Sequence, residues 1–182
     1  KKNNKLVLFA LQKQPEAGVD IKSRYYENSE QLVENIYKTL PKNYILLVKE
    51  HKAAIGLREL KFYKKFKNLK NLFYLHENID ISKNIRSFEI VITQAGTIAF
   101  EAAIKGVTSF TFAKCFFNKI KFCHHINNEM LKDCKNIFEL KEKLNKNNKL
   151  SVSEFKMFLK KRSFNGVVSD TKTDPQIMNK KN

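Results

Sequence analysis

The sequence predicts an α/β fold with a doubly wound, parallel sheet, and two observations predict it. Short apolar runs without polar alternation, as expected of strands buried on both faces, take turns with segments whose apolar residues recur at helical spacing. The links between them are short, and polar or glycine-containing stretches fall where the strands should end.

Leu6-Val-Leu-Phe-Ala-Leu11 is the first run and reads as a buried strand leading into a polar loop, Gln12 to Gly18, with Pro15 and Gly18 as turn signals. A helix is expected from about Ser29 to Leu40, with Leu32, Val33, Ile36, Tyr37 and Leu40 on one face, Ser29 as N-cap and Pro41 beyond the end. Tyr44 to Val48 is the second strand, and Leu60, Phe62, Tyr63 and Phe66 mark a second helix. Leu72 to Leu75 is a third strand, followed by a short helix somewhere between Ile79 and Phe88. The fourth strand, Glu89 to Thr93, breaks at Gln94-Ala95-Gly96. Thr97 to Lys105 is helical, with Ala99, Ala102 and Ala103 permitting close packing and Gly106 as the stop. Thr108 to Phe112 is the fifth strand. Right-handed crossovers then give a Rossmann-like domain over residues 1–145. Phe138, Leu140 and Leu144 fit a small helix within it. Residues 146–164 hold a last helix around Val152, Phe155, Phe158 and Leu159, and 165–182 read as a disordered tail.

The chain has 182 residues and a formal charge of +17, which raises the question of nucleic acid. Of 35 basic residues, however, only Arg24, Arg58, Arg86 and Arg162 are arginine, and the lysines are spread rather than blocked. Specific readers of nucleic acid rely on arginine forks and interleaved aromatics, so no specific nucleic-acid partner is expected. An anionic membrane surface or an anionic sugar polymer accounts for the charge as well. Cys115, Cys123 and Cys134 form no Cys-x-x-Cys pair, which argues against a disulfide framework and a structural zinc site. His124-His125 reads as a surface or partly packed pair in preference to a metal ligand set. No apolar run reaches membrane-spanning length.

In doubly wound sheets ligands bind outside the carboxyl ends of the strands. Gly96 there would let a phosphate approach the backbone at a helix start, and the Thr97 hydroxyl would add a hydrogen bond or cap the helix. Glu101, one turn on, would hold ribose hydroxyls; the plainer reading is an ordinary helix start with a solvated carboxylate, and spacing alone leaves both open. His51, at the end of the second strand, could bind a phosphate oxygen or act as an acid toward a leaving nucleotide, or be a polar surface residue. Arg58 stands out as a phosphate fork in a chain whose default cation is lysine, against a plain loop charge. Glu16 could contact a ligand or acceptor, or face water.

Phe9-Ala-Leu-Gln-Lys-Gln-Pro-Glu-Ala17, Leu47-Val-Lys-Glu-His51 with Gly56-x-Arg58, and Thr93-x-x-Gly-Thr-x-x-x-Glu-Ala102 with Gly106 together resemble the capsule polysaccharide biosynthesis family over about residues 6–118. That family includes GT-B glycosyltransferases, among them Kdo transferases that use a CMP-activated sugar. The resemblance implies one half of a GT-B fold, the donor-binding half, and transfer of a sugar from a nucleotide-sugar (CMP- or UDP-linked) to a bacterial surface or capsular polysaccharide. His51 resembles the histidine of the family's His-Pro motif, and Gly96, Thr97 and Glu101 its donor loop. Lys52 stands where proline is usual, Val107-Thr108 replaces Lys-Pro, and Ala113 replaces a glycine.

A glycan or lipid-linked acceptor, a cytoplasmic setting with peripheral contact to an anionic inner membrane, and a missing N-terminal Rossmann half facing the cleft are further implications. Neither a metal nor another cofactor is expected, and no Asp-x-Asp occurs in the sequence. The fragment alone is expected to turn over little or nothing. A GT-B-like nucleotide-sugar epimerase and a non-catalytic scaffold domain of a capsule assembly system are the alternatives, the second favoured by the three departures.

Overall fold

The computed structural model describes residues 5–15, 21, 24–26, 28–76 and 78–163. Glu16 and the expected tail at 165–182 lie outside them. Six strands form a single sheet in the order β3-β2-β1-β4-β5-β6: β1 Lys5–Ala10, β2 Tyr44–Lys49, β3 Leu72–Leu75, β4 Phe88–Thr93, β5 Thr108–Thr111 and β6 Cys123–His125. Every pairing is parallel. The chain winds outward from β1 to β3, returns to the other side of β1 as β4, and continues outward to β6. The winding therefore reverses between β1 and β4, where a crevice opens at the carboxyl ends of the strands.

Seven α-helices cover the described sheet: α1 Ser29–Lys38, α2 Leu60–Lys65, α3 Ile81–Asn84, α4 Ile98–Ile104, α5 Asn128–Asp133, α6 Ile137–Asn145 and α7 Val152–Lys160. Because side chains alternate across a strand, Val7 and Phe9 enter one core layer with Leu32, Val33, Ile36, Phe62 and Ile137, while Leu8 enters the opposite layer with Ile81, Ile85, Val91 and Ala102. A third cluster joins α4 to α7 through Ala99, Ala103, Phe117, Ile120 and Phe155. Each fully buried Leu, Ile, Val or Phe contributes about 1.5–3 kcal/mol, so the apolar runs outweigh weak local preferences in fixing the strands.

Three local expectations change. Asn28, not Ser29, caps α1: its side chain accepts the Gln31 N–H at 3.1 Å, and Ser29 is a buried first helical residue. Strand β6 and helix α5 are additional elements. The Cys-His-His composition of β6 carries no strand signal, yet its main chain completes the sheet edge beside Ser109, Phe110 and Thr111.

Helix α4 shows how small residues position a site. Ala99, Ala102 and Ala103 are completely buried, which brings the helix close enough for Ser109 Oγ to donate to Ala99 O at 2.7 Å. Its end is a Schellman motif: Gly106 N bonds Ala103 O at 3.1 Å and Val107 N bonds Ala102 O at 2.9 Å, with Gly106 at φ +79°.

Candidate functional site

A cleft of about 830 Å³ occupies the crevice at the ends of β1, β2 and β4. Ala10, Leu11 and Gln12 come from β1 and its exit, Lys49 to Lys52 from the end of β2, Thr93 and Ala95 to Ile98 from the β4–α4 turn, and Ile79 to Ser82 from the segment leading into α3. His51, Gly96, Thr97 and Glu101 all line it, although 45 residues of sequence separate the first pair (96 minus 51).

His51 Nδ1 accepts the Ala53 N–H at 3.2 Å as the chain makes a 3-10 turn over Lys52–Ala54. In the neutral ring that bond places the proton on Nε2, so the exposed imidazole offers a donor to a ligand. Gly96 sits where a Cβ would come within 2.9 Å of Thr93 Oγ1, so the turn admits no side chain without displacement. Its own N–H bonds that hydroxyl at 3.3 Å. Thr97 is exposed and occupies the N-cap position of α4 without a side-chain capping bond, leaving its hydroxyl to other partners. The first-turn amides of α4 also lie at this end of the cleft, as at any helix start. Glu101 accepts the Ser82 hydroxyl, while Lys105 Nζ donates to Ser82 O, so α3 and α4 are tied along one wall.

Arg58 takes a different place from the one its rarity suggested. Its Nε donates to Glu50 Oε2 at 2.6 Å and its Nη2 to Gln12 O at 3.3 Å, with its guanidinium 4.9 Å from the centre of the Phe62 ring. These bonds and packing commit the fork to the protein, and Arg58 does not line the cleft; Lys52 is an exposed cation that does. Glu50 is the hub: it also accepts from Tyr63 Oη at 2.9 Å and from its neighbour's amide, His51 N, at 2.8 Å. Burial, reinforced by the hydrogen bond to Glu50, pushes the Tyr63 phenol up to about 12, so it remains a donor throughout the neutral range.

Gln12 completes the frame, and sequence reasoning quoted it without giving it a task. Its Oε1 accepts the Ala95 N–H at 2.6 Å, while its carbonyl receives Arg58. Glu50, Arg58 and Gln12 thus connect the loop bearing His51 to the loop bearing Gly96. The signal available was position alone: a glutamine directly after a buried strand, at the point where ligands approach. Asp80 and Ser82, also missed, had only a helix-start pattern to announce them; Asp80 caps α3 by accepting from Lys83 N at 3.4 Å.

Among the described residues no group of three or more His, Cys, Asp or Glu side chains is arranged to hold a metal ion, and no helix is long and apolar enough to cross a membrane. His124 is buried, 2% exposed, and not at the surface.

No protein-family model and no curated protein matches this chain. Solved structures do. The KpsC beta Kdo 2,7 transferase of Thermosulfurimonas dismutans aligns with a TM-score of 0.55 and 16% identity, over 70% of this chain and 40% of its own. The KpsC beta Kdo 2,4 transferase of the same organism aligns at 0.51 and 17%, over 79% and 45%. The wall teichoic acid polymerase TagF aligns at 0.53 and 15%, over 78% and 37%. The chain thus spans less than half the length of the structures it matches. At these identities the likeness concerns the fold, and the chain has the Rossmann-like α/β fold of these GT-B glycosyltransferases.

Proposed function

We propose that this chain is the donor-binding half of a glycosyltransferase that moves a sugar from a nucleotide-sugar to a bacterial surface or capsular polysaccharide. The observation that carries the reading is the convergence of His51, Gly96, Thr97 and Glu101 on one cleft at the reversal point of the sheet. The fold shared with two Kdo transferases and a wall teichoic acid polymerase supports it.

In this reading the diphosphate or phosphate of the donor lies against Gly96 and the α4 start, where backbone amides face the charge. His51 Nε2–H donates to a phosphate oxygen, and Lys52 adds positive charge. Bond breaking between sugar and phosphate leaves negative charge on the departing nucleotide, so donors fixed before the reaction lower the barrier most. Glu101 accepts ribose hydroxyls in exchange for, or alongside, Ser82. Arg58 acts through Glu50 and Gln12 by holding the two loops in register. A second Rossmann half across the cleft supplies acceptor binding and the base, in keeping with the chain spanning about two fifths of the matched transferases. A peripheral seat on an anionic inner membrane suits the charge of +17 and brings a lipid-linked acceptor within reach.

Calorimetry with CMP, UDP and GDP tests this on the full chain. One nucleotide is expected to bind saturably and to lose about tenfold or more in affinity, over 1.4 kcal/mol, in the His51→Ala, Glu101→Ala double variant. Absence of binding by all three would sink the donor-site reading while leaving the fold in place.

A further inference from the structure

Two segments distant in sequence gather positive charge beside α4. Residues 114–121, which contain a 3-10 turn over Phe116–Lys119, and residues 149–163, which contain α7, hold eight basic residues and one acidic residue between them. Buried Phe117, Ile120 and Phe155 pack the segments together. The main chain joins them as well: Lys121 N bonds Leu150 O at 2.7 Å, and Leu150 N bonds Lys119 O at 3.1 Å.

The charge lies outward. Lys119, Lys156, Lys160, Lys161 and Arg162 are all exposed. Glu154, the one acid, is tied to the start of α7, where it accepts the Ser151 N–H at 2.7 Å. Helices α1 and α6 differ, since each interleaves two glutamates with its lysines. In α7, Lys156 and Lys160 stand one turn apart on the same face, a like-charge pair that opposes the helix instead of supporting it. The pull of a helix's C-terminal end on cations accounts for Lys160 and Lys161, but not for Lys119 or Lys156.

Large apolar side chains stand among these cations. Met157, next to Lys156 on the outer face, is 57% exposed, and Phe116 is 61% exposed although its ring stacks on buried Phe155 at 6.3 Å. A soluble polyanion would meet the lysines alone. An anionic bilayer takes both, its headgroups on the ammonium groups and its acyl boundary on Met157 and Phe116. Single-stranded nucleic acid would need free ring faces, but Phe158 has Lys119 Nζ at 4.6 Å, Arg162 Cζ at 4.2 Å and the Phe155 ring at 5.9 Å from its centre. We infer that the outer face of α7 and the Phe116–Lys119 turn seat the protein on an anionic lipid bilayer. This gives a place to the membrane contact proposed above, on which it rests, and takes nothing from the nucleotide cleft.

Sedimentation of the full chain with vesicles tests it. Binding is expected to phosphatidylcholine mixed with phosphatidylglycerol, weakening with added salt, and not to phosphatidylcholine alone. The Lys156→Gln, Lys160→Gln, Lys161→Gln variant should bind about a hundredfold more weakly, at about fivefold for each lysine. The same change at Lys64, Lys67 and Lys70, exposed lysines of α2 and the link to β3, removes equal charge and should stay within about threefold of the parent. The chain has no tryptophan, so Met157→Trp reports alone: its emission should move to the blue on the anionic vesicles and stay in place with polyphosphate. Equal losses in the two triple variants would overturn the inference and leave a membrane contact spread over the whole charge; no binding to either vesicle would overturn both. Emission unmoved on vesicles that the protein binds, or a preference for duplex DNA over those vesicles at the same salt, would overturn it too. Calorimetry with nucleotides reads the donor site separately, so either reading can fail without the other.

Discussion

Gly96 and Gly106 flank the two ends of α4, and they are glycines for different reasons. At Gly96 the obstacle is space: an added Cβ meets Thr93 Oγ1 at 2.9 Å, on a threonine that is itself fully buried. At Gly106 there is open space, and the obstacle is the backbone, which stands at φ +79°. Gly106→Ala is therefore expected to cost about 1 kcal/mol in a denaturant titration and to leave nucleotide affinity unchanged. Gly96→Ala is expected to weaken nucleotide binding about tenfold or more, because the displaced turn carries the donor loop. Equal effects of the two on binding would show that the Gly96 turn has no special part in it.

His124 makes a pH prediction at the same scale. The unfolded chain takes up its proton near 6.5, whereas the folded chain resists until about 4, since burial disfavours the charged ring. Between those values the unfolded state binds more protons, so stability rises with pH. The contribution is fully present above about 6.5 and is lost as the pH falls toward 4, amounting to about 2 kcal/mol after allowance for partial solvation. His124→Gln should flatten that part of a pH–stability curve measured by urea unfolding; an unchanged slope would assign it to other groups.

Among elements, the β2–α2 loop is held by a single carboxylate. The side chains of Glu50 and Arg58 are only 11% and 14% exposed, so their ion pair is screened less than a surface pair. Glu50→Ala would strand a guanidinium, a phenol and a backbone amide together, and a loss of about 3 kcal/mol is expected in unfolding experiments. Glu50→Gln, which keeps the acceptor but not the charge, should lose roughly half as much. Similar small losses in both would mean that water replaces the carboxylate without strain.

This loop also shows where sequence stops being informative. The strands β1 to β4 were legible because short apolar runs have few alternatives in a buried sheet, and α4 because Ala99, Ala102, Ala103 and Gly106 prescribe a close-packed helix and its end, after which β5 follows. His51 and Gly96 were legible as residues just past strand ends, and Thr97 and Glu101 as the start and first turn of the helix that follows. That Arg58 turns inward was not, since its partner Glu50 is eight positions away, just past the end of β2, and nothing in spacing distinguishes an ion pair from a free fork. Gln12 bonding Ala95, 83 residues on, is a tertiary fact of the same kind. Strand β6 was missed because main-chain pairing at a sheet edge asks little of the side chains.

For the whole molecule, the position of β1 matters most. It is hydrogen-bonded to a neighbour on each side, Val7, Leu8 and Phe9 are fully buried, and Leu11 N still bonds Lys49 O at 2.9 Å as the strand leaves the sheet. In amide hydrogen exchange these are the groups that should open only when the entire domain unfolds. Val7 to Phe9 are thus expected to exchange at the global limit, with Leu11 close behind; rapid exchange at Leu11 would show that the strand frays there. The floor of the cleft would then inherit the lifetime of the slowest-opening part of the molecule, and would persist for as long as the protein is folded at all.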